Sequence, residues 1–283
     1  MPRRGQMAER KPSDGADPGP TTDHGSRLRR VLDQRADVLT HLGDDPSTKP
    51  ALVETLGVSR STVDRTLKTL TAHGLVRRDD GRVVATGAGR LAADSVRRYH
   101  GATADVSRTA DVLRVLPADA EVAHEFLAGA TVYRASEAAG RQALRAAMSV
   151  VEGAESVAAL SRTVTDTSAP TAAYRLVVET AATLEVVYAP NVAAFIREEH
   201  DEDRREMAGT GRYRAFEASS VPFGLFIANA NGETSVALAV YDAEETLVGV
   251  LTNDSDDAVE WAEAVYRRYR AAATEFTDEF EAT

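Results

Sequence analysis

The chain has 283 residues, no cysteine and a formal net charge of −11. That length accommodates two domains with separate cores, and the missing thiols exclude disulfides and thiolate metal sites. No apolar run reaches the roughly 18–20 residues needed to span a bilayer, and the first residues lack the apolar segment of a secretory signal, so a cytoplasmic protein with no membrane partner is expected. The charge is unevenly spread. Residues 26–100 hold 14 Lys+Arg against 9 Asp+Glu, a balance of +5, whereas residues 101–283 hold 15 against 31, a balance of −16. A basic segment in an otherwise acidic molecule points to a polyanionic partner for that segment alone.

In chain order, residues 1–25 (MPRRGQMAERKPSDGADPGPTTDHG) are polar, rich in Pro and Gly and without periodicity, and are read as a disordered tail. Arg3, Arg4, Arg10 and Lys11 in it are read as solvated. Leu28, Val31, Leu32, Val38, Leu39 and Leu42 recur at helical spacing and predict a first helix, with Gly43 to Thr48 as the connection.

Residues 50–86 (PALVETLGVSRSTVDRTLKTLTAHGLVRRDDGRVVAT) carry the most information. Pro50 suits a first helical turn, which has no partner for its missing N–H. Leu52, Val53 and Leu56 form an apolar face, and Gly57 follows at the position where a left-handed C-cap is wanted. Ser59 is a good N-cap for a second helix. Val63, Leu67 and Leu70 mark its buried side, leaving Arg60, Ser61, Thr62, Asp64, Arg65 and Lys68 on the other. Gly74 ends this helix. Leu75-Val76 and Val83-Val84 then read as a ribbon turning at Asp80-Gly81 and decorated by Arg77, Arg78 and Arg82. The whole is the outline of a winged helix-turn-helix. Arg60, Ser61, Thr62 and Arg65 are the expected residues at DNA base edges, Lys68, Arg77, Arg78 and Arg82 the expected phosphate contacts, and Ser59, the cap, is counted with them in the DNA-binding set. Asp64 reads as a charge paired locally. The alternative is an αα-hairpin and a β-hairpin that only pack.

Thr86 is a plausible N-cap for the next run, which reads as one or two connector helices ending at Pro117 and contributing to dimerisation. Gly87-x-Gly89-x-x-Ala92 superficially matches a dinucleotide fingerprint, but the preceding strand is a hairpin wing and no βαβ unit follows, so it is set aside. From residue 118 onward, strand candidates Ala130–Tyr133, Ser156–Leu160 and Leu184–Tyr188 alternate with helices around Ser136–Val151, Thr171–Ala181 and Asn191–Arg205. Four further strands follow, with a hairpin turn at Asn231-Gly232, and a closing helix runs over Asp256–Glu275. This alternation predicts an α/β domain with a partly parallel sheet. Pro222, Phe223 and Gly224 are candidate effector-pocket residues, because Gly admits a close ligand. The other reading is a core strand with a bulge at Gly224.

These residues resemble a known family. The winged helix-turn-helix, the VPFGLFI stretch (Val221–Ile227) and the AVEWAEAVYRRYR helix (Ala258–Arg270) look like archaeal regulators of the methanogenesis regulatory protein type, in their haloarchaeal branch. Of 33 basic residues only Lys11, Lys49 and Lys68 are lysine. With the strong acidity this resembles haloarchaeal proteins, although a GC-rich genome also favours Arg. The resemblance covers nearly everything beyond residue 26. It implies a transcriptional regulator whose second domain senses a signal or mediates assembly. That domain also resembles the phospholipase-D-like effector domain of sugar-responsive archaeal regulators. Phospholipase chemistry needs a His-x-Lys pair, and no lysine follows residue 68.

No histidine pair has metal-ligand spacing, and no nucleophile elbow or phosphate loop is present. Hence neither metal, cofactor nor enzymatic activity is expected. The expected fold is a mixed α+β and α/β chain: a tail over 1–25, a winged helix-turn-helix over 26–86, a connector helix over 87–117 and a phospholipase-D-like α/β effector and dimerisation domain, without the catalytic motif, over 118–283. The expected partners are double-stranded promoter DNA, a second copy of the chain and a small-molecule effector. The alternatives are an adaptor that uses the winged helix to bind protein, and a non-catalytic ligand sensor.

Overall fold

Helix α1 (Thr21–Asp44) opens the computed structural model, which describes residues 21–135, 140–164, 168–198 and 202–280. It starts within the expected tail. Residues 1–20, with Arg3, Arg4, Arg10 and Lys11, lie outside the described residues. The chain divides into two compact units, Met1–His100 and Gly101–Thr283.

In the first unit α1 bends at Arg35, whose φ of −132° and ψ of 18° leave the helical region, and its second half buries Val38, Leu39 and Leu42. Helix α2 (Lys49–Leu56) is capped by the Thr48 hydroxyl, which accepts from the Ala51 N–H at 3.3 Å, and ends on Gly57 at φ 62°. Helix α3 (Arg60–Ala72) is capped by Ser59, whose hydroxyl accepts from the Thr62 N–H at 3.1 Å. Its C-terminus closes where the Leu75 N–H reaches the Leu70 carbonyl at 2.9 Å across Gly74, which has φ 69°. Strands β1 (Val76–Asp79) and β2 (Arg82–Ala85) pair antiparallel through Asp80 and Gly81, both at positive φ (44° and 74°), the geometry of a type I′ turn. Ser47 bridges Val83 as a short third strand. Thr86 caps α4 (Gly87–Leu113), its hydroxyl accepting from the Gly89 N–H at 3.0 Å. The core of this unit includes Leu39, Leu52, Val63, Leu70, Val76 and Ala93.

The second unit is an eight-stranded mixed sheet, in the order β10-β6-β5-β4-β7-β8-β9-β3. Its strands are β3 (Thr131–Arg134), β4 (Ser156–Ser161), β5 (Thr183–Tyr188), β6 (Tyr213–Glu217), β7 (Gly224–Ala230), β8 (Glu233–Tyr241), β9 (Leu247–Asn253) and β10 (Thr274–Glu275). β4, β5 and β6 run parallel, joined by helical crossovers, and the other pairings are antiparallel. α6 (Gly140–Val151), α7 (Ser168–Tyr174), α8 (Pro190–Glu198) and α9 (Glu202–Gly209) lie over one face. α10 (Asp256–Ala272) and the short α5 (His124–Leu127) lie over the other, where the Phe126 and Trp261 rings stand 4.6 Å apart. Asn253 ties α5 to β9: its side-chain amide donates to the Phe126 and Ala128 carbonyls at 2.8 Å each. The Tyr266 hydroxyl of α10 donates to Glu185 at 2.6 Å, and burial together with that carboxylate pushes its phenol well above the ordinary value.

Several expected boundaries are corrected. The described parts of the helix expected over Asn191–Arg205 are α8 and α9, which extend it to Pro190 and Gly209; residues 199–201 lie outside the described ones, as do 136–139 at the start of the expected Ser136–Val151 helix. The helix expected over Thr171–Ala181 starts at Ser168 and relaxes into a π-helical turn, Arg175–Glu179. The closing helix stops at Ala272, not Glu275, because the Phe276 N–H bonds the Ala215 carbonyl and Thr274–Glu275 join β6 as the edge strand. The connector is one helix ending at Leu113. Gly224 carries no bulge; the irregular register lies between Val240 and Tyr241.

Candidate nucleic-acid interface

Helix α3 separates its two sides sharply. Val63, Thr66, Leu67 and Leu70 are buried, and Arg60, Ser61, Thr62, Asp64, Arg65 and Lys68 are exposed. The Ser59 hydroxyl also lies 2.9 Å from those of Ser61 and Thr62, so the helix start presents a linked hydroxyl cluster beside two arginines. This cluster holds Ser59 as the cap and leaves Ser61 and Thr62 facing solvent. Asp64 is the single carboxylate on that face. Lys49, from the start of α2, hydrogen-bonds and ion-pairs with it, holding its carboxyl below the usual range. The face therefore offers uncompensated positive charge at Arg60, Arg65 and Lys68. On the wing Arg77, Arg78 and Arg82 are all exposed, and Arg77 sits 3.0 Å from Asp79. Lys49 is the contributor that sequence reasoning missed: it lies fifteen positions from Asp64, in another helix.

The second unit contains a cavity of about 500 Å³ between the sheet and α6 to α9. Its floor is formed by alternate residues of neighbouring strands, among them Ala159, Val186, Gly224, Phe226 and Ala239, and its roof by Leu144, Met148, Leu176 and Met207. Of the three expected pocket residues only Gly224 lines it. Phe223 is buried against Trp261, their rings 6.4 Å apart, and Pro222 contributes its carbonyl to Arg162 at 3.1 Å. Phe223 points to the opposite face because successive residues alternate across an extended chain. The signal that would have found the cavity is alanine and glycine at buried strand positions where β-branched residues are usual.

Two roof helices are tied by the Tyr174 hydroxyl, which donates to Glu206 at 2.7 Å. That carboxylate pushes the Tyr174 phenol up to about 12. A raised value means the tie is intact below the free phenol's pKa of about 10 and is lost as pH rises through about 12. Absorbance titration of Glu206→Gln against the parent should show one phenol moving down toward its ordinary range. Identical titration curves would show that the contact is absent in solution.

Among the described residues no helix is long and apolar enough to cross a membrane, and no group of His, Asp and Glu is arranged to hold a metal ion.

The first unit is thus a winged helix-turn-helix with a basic exposed face on α3, and the second is a mixed sheet with helices on both faces. Residues 26–108 match the family model described as the HVO_A0261 N-terminal domain, and residues 141–272 match that of the methanogenesis regulatory protein FilR1, middle domain. Together the two matches make the chain similar to archaeal regulators of the methanogenesis regulatory protein type. No curated protein matches its sequence. Similar solved structures include TrmBL2, an archaeal chromatin protein, at 11% identity and a TM-score of 0.41 over 89% of this chain and 99% of that one. They also include Nuc of Salmonella typhimurium, a phospholipase D family member, at 11% identity and a TM-score of 0.39 over 52% of this chain and 97% of that one.

Proposed function

We propose that the protein is a sequence-specific, double-stranded-DNA-binding transcriptional regulator that acts in the cytoplasm as a homodimer and responds to a small effector. On this reading residues 26–86 bind DNA, 87–117 connect, and 118–283 sense and dimerise; the chain is not an enzyme. The observation that carries the reading is the exposed face of α3, where the one acidic side chain is neutralised by Lys49 while Arg60, Arg65 and Lys68 stay exposed. A dimer would place two such helices in successive major grooves about 34 Å apart. The effector would shift the balance between geometries that fit this spacing and those that do not.

The test compares single variants on a selected operator and on random duplex. Arg65→Ala should weaken operator binding by about 1–3 kcal/mol and relax preference at one base position, whereas Arg78→Ala should weaken both duplexes alike and flatten the salt dependence. Equal losses on operator and random DNA for both variants would overturn the assignment of base-reading and phosphate-holding roles. Binding that ignores salt would favour a protein-binding adaptor.

A further inference from the structure

We propose that the cavity of the second unit is a binding site for a compact hydrophobic monocarboxylate. Its apolar body would lie on the alanine-floored trough, and its carboxylate would be held by Arg162. The inference rests on reading this unit as the effector domain, and it names the ligand class that such a domain would take.

Three observations converge. The first is the lining. Ala159 and Ala239 leave space on the sheet that larger strand residues would fill, and α6 to α9 cover it with Leu144, Met148, Ala173, Ile196 and Met207, with Asp203 and Arg204 of α9 also in the lining. A cavity of about 500 Å³ lies in the size range of small-molecule sites, which are mostly apolar with a few placed polar groups.

The second is the opening. Val164 and Phe195 line the cavity and are each 38% exposed. Apolar side chains held half in water at the edge of an apolar cavity mark a surface that a ligand's apolar body would cover.

The third is Arg162, placed directly after the last residue of β4, at the C-terminal end of a parallel strand, where α/β sheets bind their ligands. Its guanidinium donates from one terminal nitrogen to the Pro222 carbonyl at 3.1 Å and, more weakly, to the Val221 carbonyl at 3.5 Å. Among the described residues its hydrogen-bond partners are these two carbonyls, and its Nε is buried without one. A guanidinium charge met only by carbonyls is costly beside an apolar surface, and a carboxylate at the other terminal nitrogen would answer that charge. Ser161 and Thr163 flank it on the same rim. Glu152, Arg175, Asp203 and Arg204 also line the cavity, and the Thr163 hydroxyl donates to Glu245 at 2.8 Å, so Arg162 is the cation at this rim that a single acidic head would meet.

The test is calorimetric titration of the full chain, without DNA, with octanoate and with octanol. Octanoate should bind and octanol should bind at least about tenfold more weakly, the difference of one charge-assisted hydrogen bond. Arg162→Gln should remove that difference while leaving octanol binding in place, which also reports that the variant is folded. Ala159→Leu, which fills the trough, should abolish binding of both. Absence of octanoate binding to the parent chain, equal affinities for acid and alcohol, or undiminished binding to Ala159→Leu would each overturn the proposal. Because binding is read without DNA, a chain that binds octanoate but no operator would refute the DNA-binding reading and leave this one standing. The reverse result would refute only the ligand assignment.

Discussion

Replacing Leu70 with alanine should destabilise the winged-helix unit by about 2–5 kcal/mol and, with it, remove the DNA binding proposed for that unit near the unfolding midpoint. Leu70 has no exposed surface and packs in the core formed by α1, α2, α3 and the wing. A domain of this size has a total stability of only about 5–15 kcal/mol, so the loss is a large share of it. The effect would reach function because α3 presents its basic face only while its apolar face is anchored. Leu91, which is 70% exposed, provides the control: its alanine variant should stay within about 0.5 kcal/mol of the parent. Both would be measured by denaturant unfolding at one fixed salt concentration, since self-repulsion in an acidic chain varies with screening. Equal costs for the two leucines would show that the packing described for α3 is wrong.

The same substitution at two glycines of α4 should have opposite signs. Alanine ordinarily favours a helix interior over glycine by about 1 kcal/mol. At Gly101 an added Cβ meets nothing within 4 Å, so Gly101→Ala should stabilise by roughly 0.5–1 kcal/mol. At Gly89 it would stand 1.9 Å from the Leu75 carbonyl oxygen and 2.9 Å from its carbon. That oxygen also accepts the Thr86 N–H at 2.9 Å, so the start of α4 cannot move away without breaking the join to the wing. Gly89→Ala should therefore cost about 1–3 kcal/mol or more, typical of overpacking. Thermal unfolding of the two variants side by side tests this, and a stabilised Gly89→Ala would refute the close approach. The prediction also explains the Gly87-x-Gly89-x-x-Ala92 pattern. Gly89 is needed because a wing carbonyl lies against the helix, and no pyrophosphate is required to account for it.

The winged helix was legible residue by residue because its determinants are local. A cap and the N–H it binds are three positions apart, a turn glycine answers its own φ, and helical spacing alone sorts Val63, Leu67 and Leu70 from Arg60, Arg65 and Lys68. The same locality made the Asp80-Gly81 and Asn231-Gly232 hairpins readable, as both pairs adopt positive φ. The ends of the long helices were less legible. The closing helix stops at Ala272 because a distant strand, β6, offers hydrogen bonds to the residues that follow, and no neighbour in sequence signals that competition.

By itself the sequence determined where the positive charge lies, which face of α3 is polar, that the second unit alternates strand and helix, and that no lysine follows residue 68. Only the tertiary structure decided which groups meet. It put Lys49 on Asp64, sent Phe223 to the core and Gly224 to the cavity, and left Arg162 with a buried, unpartnered donor at the edge of an apolar trough. The reason is physical. Capping, turn geometry and periodic burial act within a few residues, whereas ion pairs, cavities and strand order depend on which surfaces the chain brings together, at separations that no local pattern encodes.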